Sequence, residues 1–266
     1  MNLTTTLDQR RQAGSPAGIE DQLRSIRRKI ESVVQRGYVI LEDGGRRPIT
    51  GSVSVDEALR LAGYVLQNNC RITLETGVAF GISTLAMMLA HDALESGSSA
   101  PEGPPRVHYG VDPCQWSEHH GAAIALHREF GIRSRFELLE GTAHVMLPTL
   151  LEKVTLDFAF VDGWHTFDYT LIDFFYIDKL LKPGGAVAFH DASWASKRKV
   201  FGYIRTHRRY RPIGMRSVPA VTFAKQLVLA LSHASFRRAI YSAQPGLLLW
   251  QKIDGEEPGH DFFRNF

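Results

Sequence analysis

The chain has 266 residues, 44% of them hydrophobic and 22% charged, with a formal net charge of +3. That composition belongs to a globular protein: no apolar run approaches the ~20 residues of a membrane span, and so small a charge excess does not by itself call for a nucleic-acid partner. Two cysteines, Cys70 and Cys114, offer neither metal spacing nor a disulfide framework and suit a reducing, cytoplasmic setting, with Cys70 read as a small buried hydrophobe.

Residues 1–20 read as a flexible N-terminus, polar and holding Gly14, Pro16 and Gly18; no apolar segment follows their charges, so no secretory leader is expected. From Asp21 to Arg36 apolar residues recur at Leu23, Ile26, Ile30 and Val33/Val34, which is helical spacing. Such a helix packs as a lid or across a partner subunit. Asp43 to Thr50 is a turn-rich linker. Ser54 and Glu57 then form a capping box ahead of Ala58, Leu59, Leu61, Ala62 and Val65, marking a second helix.

A short strand over Ile72 to Leu74 runs into Glu75-Thr76-Gly77-Val78-Ala79-Phe80-Gly81, and a helix opens near Gly81. Two glycines three residues apart let the backbone turn tightly against a ligand, and the helix start offers unpaired N–H groups to an anion. Ser83 and Thr84 add hydroxyls in the first turn. Glu95 to Pro105 is a surface insertion rich in Ser, Gly and Pro. Three further strands are expected over Val107 to Val111, Phe136 to Glu140 and Leu156 to Val161, with helices over Glu118 to Phe130, Ala143 to Leu151 and Tyr169 to Leu181. Lys182-Pro183-Gly184-Gly185 is a sharp turn into a fifth strand, Ala186 to Phe189. Beyond it, Ser196 to Arg208 is helical, Val218 to Phe223 and Leu247 to Ile253 are candidate strands, and Ser232 to Ser242 is a helix between them. Five strand–helix alternations imply a mostly parallel sheet covered on both faces.

In such doubly wound sheets ligands lie beyond the carboxyl ends of the strands. Those ends here are Glu75-Thr76-Gly77, Asp112, Glu140-Gly141-Thr142-Ala143, Asp162-Gly163-Trp164-His165 and His190-Asp191. An acid ending the second strand is placed to accept from ribose hydroxyls. Glu75 is placed to take an amino group while the helix turn takes a carboxylate. A ribose joined to an amino acid fits that pattern better than a pyrophosphate, which Glu75 would repel. A dinucleotide-dependent oxidoreductase fits less well, since its Gly-x-Gly-x-x-Gly signature lacks a third glycine here.

The stretch Leu74 to Thr84 resembles motif I of class I S-adenosylmethionine-dependent methyltransferases. Leu156 to Trp194, with Asp162-Gly163-Trp164-His165, Lys182-Pro183-Gly184-Gly185 and Phe189-His190-Asp191, resembles the second half of the same core. The similarity spans about residues 52–210 and is strongest to the small-molecule O-methyltransferase branch with the catechol and caffeoyl-CoA enzymes. It implies a Rossmann-like, doubly wound, mostly parallel seven-stranded sheet with helices on both faces and an antiparallel last strand. It further implies a flexible start (1–20), a helical extension (21–69), the methyltransferase domain (70–253) and a tail (254–266). Glu75 and Gly77 would hold the methionine end of S-adenosylmethionine with Ala79, Gly81, Ser83 and Thr84 around the turn. Asp112 would bind the ribose, Gly141, Thr142 and Ala143 would flank the adenine, and Asp162 would lie beside the methionine moiety or a metal.

Methyl transfer is an in-line displacement, so the protein has to align the acceptor and remove its proton. His165, three residues past Asp162, is the best base candidate, standing where the metal-dependent relatives carry a lysine; its alternative reading is a histidine that orders the loop. His190 is the second choice. Asp162 and Asp191 match two of the family's divalent-cation ligands, a possible Mg²⁺ site, but Ala192 replaces the family's Asn and leaves that set incomplete. Trp164, Phe167, Trp194 and Tyr203 are candidates for an aromatic wall, although core packing is the default reading for most of them. Asp173 and Asp178 are assigned to an amphipathic helix face. The basic run Lys197, Arg198, Lys199, Arg205, His207, Arg208, Arg209 and Arg211 is read as a solvated face rather than a nucleic-acid surface. The expected partner is a small hydroxylated acceptor, with no membrane and a homodimer possible; a non-catalytic binding protein on the same core is the alternative.

Overall fold

The computed structural model describes residues 16–96, 104–213 and 246–266. Its centre is a seven-stranded sheet built from β3 (Ile72–Thr76), β4 (Val107–Val111), β5 (Arg135–Leu139), β6 (Leu156–Val161), β7 (Leu181–Phe189), β8 (Tyr210–Ile213) and β9 (Leu248–Lys252). The spatial order is β5-β4-β3-β6-β7-β9-β8. The five strands from β5 to β7 are parallel, and β9 runs antiparallel to both β7 and β8. This is the Rossmann-like architecture expected from the sequence, antiparallel last strand included. Strand order reverses between β3 and β6, and that reversal opens the crevice at their carboxyl ends.

Side chains along β6 alternate between two cores. Phe158 and Phe160 face one, shared with Ile26, Ile30 and Val33 of α1 (Pro16–Arg36), Leu61 and Val65 of α2 (Val55–Gln67), and Leu85 and Met88 of α3 (Ile82–Ser96). Ala159 and Val161 face the other, with Phe174 and Ile177 of α6 (Phe167–Leu180) and Val200 and Ile204 of α7 (Ala195–His207). The N-terminal helices therefore cover the sheet as a layer of the same core. Helix α2 starts with the capping box read from the sequence: Ser54 Oγ accepts from the Glu57 N–H at 3.3 Å, while Glu57 Oε2 accepts from the Ser54 N–H at 3.0 Å.

Several elements differ from expectation. Helix α1 begins at Pro16, inside the stretch read as a flexible start, while residues 1–15 lie outside the described residues. The linker Asp43 to Thr50 is half of a hairpin, β1 (Tyr38–Ile40) pairing with β2 (Arg46–Pro48). Helix α4 is short (Ala122–Glu129), and the segment Ala143 to Leu151 divides into α5 (Ala143–Met146) and a 3-10 turn (Leu147–Leu150). The Lys182–Gly185 turn is absorbed into β7 as an irregularity, with pairing jumping from Leu156↔Leu181 to Phe158↔Ala186. Strand β8 is not expected from the sequence, because Tyr-Arg-Pro-Ile carries a charge and a proline, which only an edge strand tolerates. The candidates Val218 to Phe223 and Ser232 to Ser242 lie outside the described residues, as does most of the Glu95 to Pro105 insertion.

Candidate functional site

The glycine turn after β3 is held from three sides. Asp112, just past β4, accepts the N–H groups of Val78 (3.0 Å) and Ala79 (2.7 Å) on Oδ2 and that of Cys114 (2.7 Å) on Oδ1. Gln115 donates to the Ala79 carbonyl at 2.9 Å and accepts the Ala123 N–H at 3.2 Å, tying the turn to the start of α4. Gly77 has φ +84° and its backbone lies so near β6 that a Cβ would sit 2.3 Å from the Asp162 carbonyl oxygen. Gly81 has φ +81°, and a Cβ there would meet Ala123 Cα at 2.7 Å. Only glycine satisfies both constraints. Ala79 adopts φ +45° without that freedom, held there by its paired N–H and carbonyl.

Beneath the turn lies a fully buried polar chain. Thr84 and His108 both reach Glu75 Oε1, His108 Nε2 at 3.2 Å, and His108 Nδ1 lies 2.8 Å from Thr73 Oγ1. Glu75 Oε2 has no protein partner. Thr84 gives its hydroxyl to Glu75, and Asp112 accepts three backbone donors and so shapes the turn. Ser83 is buried in the first turn of α3. On the far side, Gly141, Thr142 and Ala143 are half-buried at the end of β5 and the start of α5, and Gly141 N–H bonds the Asp112 carbonyl at 3.3 Å.

Across the crevice the loop after β6 and the end of β7 bring together four ionisable groups, Asp162, His165, His190 and Asp191, with Glu57 of α2 and Lys197 of α7 reaching them. His190 Nδ1 lies 2.9 Å from Asp162 Oδ1, and its Nε2 lies 3.6 Å from Glu57 Oε2 on α2. Burial opposes charge on this imidazole, but the two carboxylates outweigh it and raise its pKa to about 10. Glu57, next to His190 and bonded to Ser54, is drawn down to about 2. Burial pushes Asp162 above the ordinary carboxylate range although His190 pulls the other way. His165 sits on the same loop with φ +62°, its Nδ1 3.8 Å from Asp191 Oδ2 and 4.0 Å from Asp162 Oδ1. The closest partner of that nitrogen is Lys197 Nζ at 3.1 Å, which also donates to the His190 carbonyl at 2.7 Å. Burial and the neighbouring lysine hold the His165 pKa below the ordinary histidine value.

Lys197 corrects the reading of the basic run: its side chain is fully buried beneath the site. Arg208 pairs with Asp178 at 2.9 Å, Arg209 with Asp254 at 2.7 Å and Glu256 at 3.0 Å, and Arg211 with the Gln251 amide at 2.7 Å. Asp173 and Asp178, on the helix assigned to them, are both buried. Trp164 and Trp194 stand exposed at the mouth, Trp194 with its ring 5.3 Å from that of His165. Phe167 is exposed as well, whereas Tyr203 turns away to stack on His207 at 4.8 Å under the C-terminal residues.

Sequence reasoning did not find Glu57, Lys197 or Gln115. Glu57 was legible only as a helix cap, and Lys197 looked like one cation in a basic run. The metal reading fares poorly on donor chemistry: Asp162 is already matched by the His190 imidazolium, and among the described residues no three His, Cys, Asp or Glu groups converge as a metal site.

Residues 74–192 match the family model described as a methyltransferase domain. No curated protein matches the chain. Among solved structures, a cofactor-bound protein, Rv0187 from MTB, is similar over 91% of this chain and 94% of its own, with 14% identity and a TM-score of 0.55. An O-methyltransferase from Bacillus cereus in complex with SAH is similar over 72% of this chain and 82% of its own, with 16% identity and a TM-score of 0.51. At these identities the likeness is one of fold, in keeping with the Rossmann-like sheet described above.

Proposed function

We propose, from the match of residues 74–192 to a methyltransferase-domain model, that the chain is an S-adenosylmethionine-dependent O-methyltransferase of a small hydroxylated molecule. The observation that carries this is the pinned turn at the β3/β6 reversal, where Gly77 brings backbone against the Asp162 loop and Asp112 orders the N–H groups of Val78 and Ala79. The residues present suit a zwitterionic adenosyl cofactor: Glu75 Oε2 is a buried carboxylate oxygen lacking a donor among the described residues, and it favours a positive group near the turn. A pyrophosphate would meet that same charge unfavourably. Gly77, Ala79, Gly81 and Ser83 would line the amino-acid end, Asp112 the ribose through the remaining lone-pair capacity of Oδ1, and Gly141, Thr142 and Ala143 the base.

When bound, the cofactor supplies an electrophilic methyl group on a sulfonium. The chain's own residues orient the acceptor and move its proton. His165, half-exposed between Trp194 and the carboxylates, is the proposed base, with its Nε2 as the accepting atom. Trp164 and Trp194 offer flat apolar faces to a planar acceptor. Asp162 acts on the site through the pair it makes with His190.

Isothermal titration calorimetry with S-adenosylmethionine and with NADH tests the reading. Saturable heat with the first and none with the second is expected. Absence of binding to either the sulfonium compound or its demethylated product at millimolar concentration overturns it.

A further inference from the structure

The buried polar chain under the glycine turn has a direction. Thr73, Glu75, His91 and His108 have no exposure, and the Thr84 hydroxyl donates into the same group. A carboxylate oxygen accepts, so the His108 Nε2 that faces Glu75 Oε1 at 3.2 Å carries hydrogen and donates it. His108 stands beside Thr73 in the β3–β4 register, and its Nδ1 accepts the Thr73 hydroxyl at 2.8 Å. Thr73 Oγ1 in turn lies 3.5 Å from Nε2 of His91, which follows Thr84 two helical turns further along α3. Burial drives the His91 pKa well below the ordinary histidine value, and its Nδ1 has no partner among the described residues, which places the ring hydrogen on Nε2. Every link therefore donates toward Glu75: His91 to Thr73, Thr73 to His108, and His108 to the carboxylate.

This file of donors ends on one oxygen. Oε1 takes a donor from α3 and another from β4, while Oε2 of the same buried carboxylate has none among the described residues. Two donors arriving from separate elements fix the plane of the group and leave Oε2 as its available acceptor. The His108 ring is held in turn, stacked on Phe136 with ring centroids 5.9 Å apart. We propose that His108, backed by Thr73 and His91, is a positioning residue for cofactor selection: it occupies Glu75 Oε1, so that Oε2 is presented to a ligand ammonium and a nucleoside with an amino-acid end is preferred to one without. The inference rests on Glu75 receiving the amino group of an adenosyl cofactor, and it supplies the reason why that carboxylate is aligned beforehand. Without the His108 donor both oxygens compete for the Thr84 hydroxyl, and the group has to be ordered when the ligand arrives. That cost falls on the ammonium contact and leaves the nucleoside contacts untouched.

Calorimetry on the full-length protein with two ligands tests this: S-adenosylhomocysteine, which carries the amino-acid end, and methylthioadenosine, which lacks it. In His108→Phe the affinity for S-adenosylhomocysteine should fall by about 10- to 100-fold, while that for methylthioadenosine stays within about twofold of wild type. His108→Gln places an amide donor where Nε2 stands and should return the first affinity to within about threefold of wild type. A His108→Phe protein that keeps its affinity for S-adenosylhomocysteine overturns the proposal, as does one that weakens both ligands alike. Long-range ¹H–¹⁵N correlation on the wild-type protein near pH 7, with His108 assigned by triple-resonance spectra, gives a second reading. Hydrogen on Nε2 with Nδ1 bare is expected there, and a bare Nε2 overturns the proposal whether or not the variants fold. Silence of the wild-type protein toward both ligands would remove the methyltransferase reading and this inference with it; binding of both ligands without the selective loss in His108→Phe removes this inference alone.

Discussion

Asp173 on α6 is a carboxyl group with almost no access to water, 2% exposed, and among the described residues its one donor is the Thr76 hydroxyl at 2.8 Å. Burial raises its pKa to about 7, against which the Thr76 bond works only in part. An unfolded Asp titrates near 3.9, so between about pH 4 and 7 the folded chain holds a proton that the unfolded chain has lost. Stability from this group is complete below about pH 4 and falls as pH rises through 7. Asp173→Asn keeps an acceptor for Thr76 without the charge. Its melting temperature relative to wild type should be nearly unchanged at pH 4–5 and several degrees higher at pH 8, as thermal unfolding across pH would register; parallel curves would refute the buried, neutral carboxyl. Nothing in the local sequence announces this. The spacing of Asp173 within the helix is visible, but Thr76 lies 97 residues away, and burial at that point depends on how α6 lands on β3 and β6. The same limit hid Lys197 and Glu57, whose contacts with His165 and His190 cross between distant elements. What was legible was the position of residues fixed by the backbone itself, such as Gly77 and Asp112 at strand ends.

The element that was read most fully is the β3–turn–α3 unit, because every signal for it is local: an apolar strand, two glycines, then an apolar helix. Its tightness is a property of the fold. A methyl group at residue 77 would need to stand 2.3 Å from the Asp162 carbonyl at φ +84°, a contact that no rotamer change relieves because both partners are backbone. Gly77→Ala should therefore force β3 and β6 apart at their carboxyl ends, costing on the order of 1–3 kcal/mol and weakening cofactor binding more than tenfold. Gly184→Ala provides the control, since that glycine also has positive φ (+81°) but nothing within 4 Å of its added methyl. It should lose stability through backbone strain alone and bind normally. Equal loss of binding in the two variants, read by calorimetry, would remove the close approach as the reason for glycine at 77. Strand β8 teaches the converse, because its Arg and Pro obey the rules of a sheet edge and not those of a central strand. Edge position is a fact of topology that no window of four residues contains.

The N-terminal layer reaches the strand-end chemistry through the contact of Glu57 of α2 with His190 after β7, with Asp162 on the other side of the ring. The layer was anticipated only as a helical extension or lid; it reaches the site because the third residue of α2 both caps its own helix and extends a carboxylate toward the sheet. The two titrations bracket the pH range in which this link is strong. Glu57 is depressed to about 2 in the folded chain, so its contribution is present above about 4.3 and is lost as pH falls toward 2. His190 is raised to about 10, so its contribution is complete below about 6.5 and is lost as pH climbs toward 10. Both contributions are whole only between roughly pH 4.5 and 6.5. Glu57→Gln removes the charge yet retains the capping box, since Gln serves at that helix position. The variant should be least stable relative to wild type near pH 5–6, by about 1–3 kcal/mol, with the gap narrowing toward both pH 3 and pH 10 in chemical denaturation. A gap that stays constant with pH would mean that Glu57 acts as a cap alone, and that the helical layer and the proposed active site are coupled by packing rather than by this ion pair.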